Sequence, residues 1–177
     1  HYLLKSESDD MFKLYVLDNY LDGVRGTIFR QTLFAEFELA MHEKIENGES
    51  LTPDWLNEKY LSLTKEYYGH EKNIVEVGDY IQTEWSVIPH FYMNYYVFQY
   101  ATGLISSMAL SQKVLSNETP DAKEKYLTLL KSGGSDYPIE LLKKAGVDMT
   151  KTESINEGLK NFGNLVNEMK ALVKKMK

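Results

Sequence analysis

One apolar segment, from about residue 91 to residue 117, constrains the fold more than any other part of the sequence. Its hydrophobic residues occupy nearly all sides of a helix, whereas a surface helix carries a single apolar stripe. A helix of that kind is stable only where neighbouring elements cover it on most sides. The segment therefore predicts a buried central helix.

The other segments carry the start and stop signals of helices, and none has a convincing strand pattern. Residues 52–69 are the clearest case, because Thr52 is a good N-cap, Pro53 suits the first helical position and Gly69 can end the helix. Signals of the same kind are a terminating glycine at Gly48 and a capping box formed by Thr150 and Glu153. We predict an all-α fold, a helical bundle around the central helix that forms a single domain over residues 1–177.

The composition argues against several classes of function. Of the 177 residues 43% are hydrophobic, and acidic and basic residues are mixed along the chain with a net charge of −6. This charge argues against a surface for nucleic acid or for an anionic membrane. The absence of cysteine excludes disulfides and thiolate chemistry and fits a cytoplasmic protein. No stretch reaches the roughly 18 consecutive apolar residues of a membrane span.

The first residues lead us to expect a piece of a longer protein. HYLLK, beginning at His1, has the pattern of a helix interior, with neither a start methionine nor a capping residue. Natural domains rarely begin within a helical turn. A bundle separated from its neighbouring helices is expected to expose apolar surface and to self-associate.

Three histidine patterns imitate metal sites, but each departs from the pattern that the chemistry requires. His42 begins H-E-x-x, yet Glu46 stands where the zinc-peptidase motif needs its second histidine. The pairs Glu38/His42 and Glu66/His70 have an i, i+4 spacing, whereas di-metal carboxylate bundles use Glu-x-x-His. We interpret His42 as part of a solvated helix face, regard the two pairs as poor candidates because the residues around them are hydrophilic, and predict no metal ligand in this chain.

Residues 25–38, RGTIFRQTLFAEFE, place charged side chains inside an apolar run. Some of these side chains must face the interior, and a buried Arg or Glu is tolerable only when it is paired and hydrogen-bonded. We therefore expect a structural ion pair in preference to a catalytic group. The polar residues concerned are Arg25, Arg30, Gln31, Glu36 and Glu38.

Residues 89–103, PHFYMNYYVFQYATG, combine an imidazole with several phenols. The proline keeps the residue before it extended, so His90 lies where a loop enters the buried helix. On a helix that starts there, Tyr92, Tyr96 and Tyr100 follow one another at intervals of four along one face. Such a row of neutral donors suits binding of an oxyanion or a peptide backbone. The alternative is a core helix whose tyrosines bring only their hydroxyls to the surface.

Two segments together closely resemble a known family of enzymes. Residues 25–38 and residues 88–103, IPHFYMNYYVFQYATG, resemble the C-terminal part of the catalytic domain of bacterial oligoendopeptidases F. Those enzymes are thimet-oligopeptidase-like zinc metallopeptidases. HYLLK at the start and GGSDYPIELLKKAGVDM near the end fit the same family, so the resemblance extends over essentially the whole chain. It implies a fragment of a larger, mostly helical domain that hydrolyses short oligopeptides.

The resemblance also implies where the zinc cofactor is held. In the family, its ligands are an H-E-x-x-H helix and a glutamate of the next helix, and neither element occurs in this sequence. Both precede a segment like HYLL, so the ligands would lie outside this chain. The zinc would polarise a water molecule and the scissile carbonyl, with the motif's glutamate as general base.

The role implied for this chain is the substrate and oxyanion side of the active site. A histidine and tyrosines of the family bind the peptide backbone and the oxyanion of the tetrahedral intermediate. The matching catalytic residues are His90 and Tyr96, with Tyr92 as a further substrate-binding residue. Related sequences often have a tyrosine in place of Phe98, so we assign no role to Tyr95 or Tyr100.

The partners implied are short peptide substrates and the remainder of the same catalytic domain, without which this chain would be inactive. The alternative is a non-catalytic helical domain that binds peptides or a partner protein through the same aromatic groove. An H-E-x-x-H motif and a later glutamate upstream of this segment would favour the enzyme.

Overall fold

The computed structural model describes residues 2–116 and 119–176, and these residues form helices and connecting turns without a strand. The all-α class predicted from the sequence is confirmed. The α-helices in chain order are α1 (Tyr2–Ser6), α2 (Asp10–Val24), α3 (Arg30–Glu46), α4 (Pro53–Tyr68), α5 (Phe98–Ser116), α6 (Ala122–Ser132), α7 (Pro138–Lys144) and α8 (Thr152–Lys175). A π-helical turn (Arg25–Phe29) joins α2 to α3, and 3-10 segments follow α4 at His70–Lys72, Asp79–Val87 and Pro89–Tyr92.

The contacts of the chain divide it into two compact units. One unit is made of His1–Arg25 and Thr102–Lys177, and the other is Gly26–Ala101. Each unit has a hydrophobic core of its own. The single domain expected over residues 1–177 stays a prediction.

In the first unit, α2 packs along α8. Leu17 and Leu21 of α2 meet Leu165 of α8 in an apolar cluster, and the ends of these helices are joined by an ion pair of 2.5 Å between Asp10 and Lys175. Residues of α5 and of the segment after α7 form a second cluster, namely Ala109, Leu110, Ala145 and Val147. These contacts bury Ala109 and Leu110, which are part of the apolar surface of α5.

In the second unit, α3 packs against α4 around a core rich in aromatic rings. The buried members of this core are Leu33, Phe34, Phe37, Leu56, Tyr60, Leu63 and Val97. Helix α4 has the predicted ends: the hydroxyl of Thr52 accepts a hydrogen bond from the amide of Trp55, and Gly69 adopts a left-handed conformation with φ of 69°. The start and stop signals of this helix are therefore confirmed.

The central helix begins later than the sequence predicts. Helix α5 starts at Phe98, whereas the predicted helix starts near Phe91. Residues 89–92 form a 3-10 turn instead, and Tyr95 has a positive φ of 55°, which a right-handed helix cannot accommodate. The predicted end at Asn117 lies outside the described residues.

The last helix also begins differently from the prediction. Helix α8 starts at Thr152, after the proposed capping residue Thr150. The amide and the hydroxyl of Thr150 both donate to Asp148, at 3.0 and 2.6 Å. Thr150 therefore belongs to a turn closed by Asp148. The capping box with Glu153 is not formed, because the amide of Thr150 donates to Asp148 in place of Glu153 and the helix begins two residues later.

Candidate active site

The 3-10 segment Asp79–Val87 is held against α3 and α4 by one carboxylate. Glu84 accepts hydrogen bonds from Arg30 of α3 at 2.6 Å and from the hydroxyl of Tyr60 of α4 at 2.5 Å. Burial lowers the pKa of Arg30, but the hydrogen bond and charge of Glu84 outweigh it and raise the pKa. Burial first, and then the hydrogen bond to Glu84, raise the pKa of Tyr60 as well. The ion pair expected for Arg30 thus exists, with a partner from outside residues 25–38.

The segment leads directly into the turn that carries His90. Ile88 is extended, with φ of −91° and ψ of 104°, as expected for a residue before proline. Phe91 then packs its ring against Phe34 and Phe37, with centroids 5.5 and 5.4 Å apart. Because Phe91 is fixed in the core, the half-buried His90 beside it has a defined position at the surface.

His90 lies in a cluster with two tyrosines. Its ring stacks on Tyr96 with centroids 5.4 Å apart and an angle of 13°, and it meets the edge of Tyr100 at 5.8 Å. The hydroxyl of Tyr100 is 3.3 Å from Nε2 of His90, within hydrogen-bond distance. The rings of Tyr96 and Tyr100 also meet edge to face at 5.5 Å. We call His90, Tyr96 and Tyr100 the His90 cluster.

The phenols of the His90 cluster remain accessible. Tyr96 is 37% exposed and Tyr100 is 38% exposed. The hydrogen bond with Tyr96, followed by burial, raises the pKa of Tyr100 above its ordinary value. Neutral phenols and an imidazole can donate hydrogen bonds to a carbonyl oxygen or an oxyanion, and they bring no negative charge that would repel it.

The structure places Tyr92 apart from the other two predicted site residues. Its side chain is 76% exposed, and its hydroxyl donates to the carbonyl oxygen of Ser86 at 3.4 Å. The single helical stripe expected for Tyr92, Tyr96 and Tyr100 is not formed, because the chain turns between residues 92 and 98. Tyr100, to which the sequence analysis assigns no role, lies in the first turn of α5 and joins the cluster through its contacts with His90 and Tyr96.

The histidine patterns resembling metal sites have structural contacts. His42 stacks on Tyr95 with centroids 4.4 Å apart, and the buried Glu38 accepts a hydrogen bond from the amide of Tyr95 at 2.8 Å. Nδ1 of His70 accepts a hydrogen bond from the amide of Val77 at 3.0 Å and so closes a loop. Half-buried His42 corrects the prediction of a solvated face, since its ring contacts a turn that the local sequence does not show. Buried Glu38 is one of the polar residues of the segment 25–38 that face the interior.

Comparison with known proteins gives the family. Residues 1–161 match peptidase family M3, and this match covers most of the chain. The chain therefore belongs to peptidase family M3. The predicted resemblance to oligoendopeptidases F is confirmed.

The relatives are much longer than this chain. It is 49% identical over 177 residues to oligopeptidase PepF of Bacillus subtilis, covering 99% of this chain and 26% of that protein. It is 47% identical over 173 residues to the group B oligopeptidase PepB of Streptococcus agalactiae, covering 98% of this chain and 28% of that protein. The crystal structure of oligoendopeptidase-F from Enterococcus faecium matches with a TM-score of 0.93 and 49% identity, over 98% of this chain and 33% of that one. In the part of the chain that the structure describes, no helix is long and apolar enough to cross a membrane.

Proposed function

We propose that the whole protein is a zinc metalloendopeptidase that hydrolyses short oligopeptides, and that this chain supplies the substrate and oxyanion side of its active site. The observation that carries the proposal is the His90 cluster, in which an imidazole and two accessible phenols converge on one surface. Membership of peptidase family M3 and relatives named oligopeptidases support a peptidase.

The proposed role of the His90 cluster is to donate hydrogen bonds to a substrate oxygen. His90 and Tyr96 are the catalytic donors to the oxyanion that forms when a peptide carbonyl is attacked, and Tyr100 adds a third donor. Donors aimed at developing charge stabilise the transition state more than the ground state, and one such donor contributes about 10²–10³-fold in kcat. Tyr92, on the exposed side of the same turn, is the proposed contact to the peptide backbone.

The zinc of this enzyme is proposed to be held outside this chain. Among residues 2–116 and 119–176, no three His, Asp or Glu side chains are arranged to hold a metal ion. These residues therefore do not provide a ligand set for zinc, and we propose that the ligands come from the remainder of the catalytic domain. On this proposal the chain alone is inactive, and the whole enzyme works in the cytoplasm.

The second candidate function is a helical domain that binds peptides without cleaving them. The same observation favours it, because hydrogen-bond donors on a rigid aromatic surface bind a peptide backbone whether or not a metal is present. Zinc content of the whole protein separates the two candidates. The enzyme requires stoichiometric zinc and turnover, whereas the binding domain requires neither.

The test is to measure hydrolysis of an internally quenched oligopeptide by the full-length protein and by His90→Phe, with zinc content determined in both. Loss of one oxyanion donor predicts a fall in kcat of about a hundredfold or more with zinc retained. Tyr96→Phe and Tyr100→Phe, each of which removes a single hydroxyl, should lower kcat as well. Tyr80→Phe is the matched control, because Tyr80 is 83% exposed in the same unit. Unchanged kinetics in His90→Phe would refute the proposed role.

A further inference from the structure

The turn before α5 has an unusual backbone at Tyr95. Its φ of 55° lies in the left-handed region, which a bulky aromatic residue rarely adopts. Such a conformation has a free-energy cost, so it persists only where surrounding contacts select it. Tyr96, a member of the His90 cluster, is the next residue, and its direction depends on this turn.

Glu38 of α3 holds the backbone of this turn. Its side chain is 1% exposed, and Oε1 accepts a hydrogen bond of 2.8 Å from the amide of Tyr95. Within the described residues, no Lys, Arg or His forms an ion pair with Glu38. A buried carboxylate is costly unless its oxygens are hydrogen-bonded, so this contact is favoured strongly over an open turn in which it is lost.

His42 holds the ring of the same residue. It lies four residues after Glu38 on α3, so both side chains project from one face of the helix. The rings of His42 and Tyr95 stack with centroids 4.4 Å apart and an angle of 26°. One face of α3 therefore contacts both the backbone amide and the side chain of Tyr95.

We propose that Glu38 and His42 are positioning residues that select the left-handed conformation of Tyr95 and thereby bring Tyr96 and Tyr100 against His90. Neither residue touches the substrate. The proposal rests on the proposed function for its catalytic consequence, but its structural part concerns the turn alone. It gives a role to the Glu-x-x-x-His pair, whose spacing is wrong for a di-metal site.

The first test compares Glu38→Met with Glu38→Gln in the full-length protein. Met keeps the volume and removes the acceptor, whereas Gln keeps a carbonyl oxygen for the amide of Tyr95. Glu38→Met should speed hydrogen exchange of residues 93–97 and lower kcat at least about tenfold, with KM and zinc content little changed. Glu38→Gln should have a hydrogen-exchange rate in residues 93–97 and a kcat close to those of the unsubstituted protein. Glu43→Met is the matched control, because Glu43 is exposed on the same helix.

The second test addresses the conformation directly and guards against a general loss of folding. Tyr95→Asn and Tyr95→Val both remove the ring, but only Asn tolerates a positive φ. The proposal expects Tyr95→Val to lower kcat several-fold more than Tyr95→Asn. Equal activity of these two variants, or unchanged exchange and kcat in Glu38→Met, would overturn it.

The outcomes separate this inference from the proposed function. Full activity of His90→Phe would refute the catalytic role of the cluster, while exchange of residues 93–97 in Glu38→Met would still test the turn. Loss of activity in His90→Phe with none in Glu38→Met would leave the function standing and refute the positioning role. For His42, His42→Phe should keep the stacking and kcat, whereas His42→Leu should lower kcat.

Discussion

The attachment of the 3-10 segment Asp79–Val87 predicts the effect of removing a single hydroxyl. Tyr60 is 1% exposed, and its hydroxyl donates to Glu84 at 2.5 Å. A hydrogen bond to a charged group contributes about 1.5–3 kcal/mol. In Tyr60→Phe the carboxylate keeps its bond to Arg30, so we expect the lower end of that range, about 1.5 kcal/mol. This corresponds to an opening of the segment that is about tenfold more frequent.

The measurement is hydrogen exchange of residues 79–87 in the full-length protein, since exchange through local opening reports the free energy of that opening. Tyr80→Phe, which removes a hydroxyl from an 83% exposed ring, is the control and should change exchange little. If Tyr60→Phe and Tyr80→Phe behave alike, Glu84 does not hold the segment through Tyr60. The reasoning from this contact would then be refuted.

Three further predictions concern stability and ionisation in the two units. Gly69→Ala should destabilise the protein by more than about 1 kcal/mol, because φ of Gly69 is 69° and the new Cβ would lie 2.9 Å from Ile74. Gly23→Ala should stabilise the protein by about 0.5–1 kcal/mol, because Gly23 is an open position within a helix. Urea unfolding measures both changes in the free energy of unfolding. Phe37→Ala should cost about 3–5 kcal/mol in the same assay, since Phe37 is fully buried. Burial first, and then a hydrogen bond to Glu36, raise the pKa of Tyr67 to about 12. The contribution of Tyr67 to stability is therefore present below pH 10, the ordinary pKa, and is lost as the pH rises towards 12. Glu36→Gln should lower the pKa of Tyr67. The phenol titration of Tyr67 is obtained by comparing each protein with the same protein carrying Tyr67→Phe.

Local signals account for the helices that were predicted well. Thr52, Pro53 and Gly69 define α4 through their own backbone preferences and hydrogen bonds, which depend on residues close in the sequence. The start of α5 depends instead on Tyr95, whose conformation is held by Glu38, 57 residues earlier. A contact of that range has no local pattern, so the sequence alone predicts a helix that begins too early.

The same distinction applies to the candidate site. The sequence pointed to His90 and Tyr96 through an unusual combination of imidazole and phenols in an apolar run. The same pattern places Tyr100 on one helical face with Tyr92 and Tyr96, but it could not show that Tyr92 leaves this row, because Tyr92 lies in a separate 3-10 turn before the helix begins at Phe98. The sequence also predicted a pair for Arg30 without locating Glu84, 54 residues away in the chain.

The turn between Phe91 and Val97 is anchored in the core at both ends and open to solvent between them. Phe91 packs on two core rings and Val97 is fully buried, whereas Met93 and Asn94 are exposed. Mutational tolerance should therefore be uneven over these few positions. A saturation library would accept many residues at Met93 and Asn94 and few at the two anchors, so an engineer who wishes to vary the rim of this surface has two adjacent positions at which to do so.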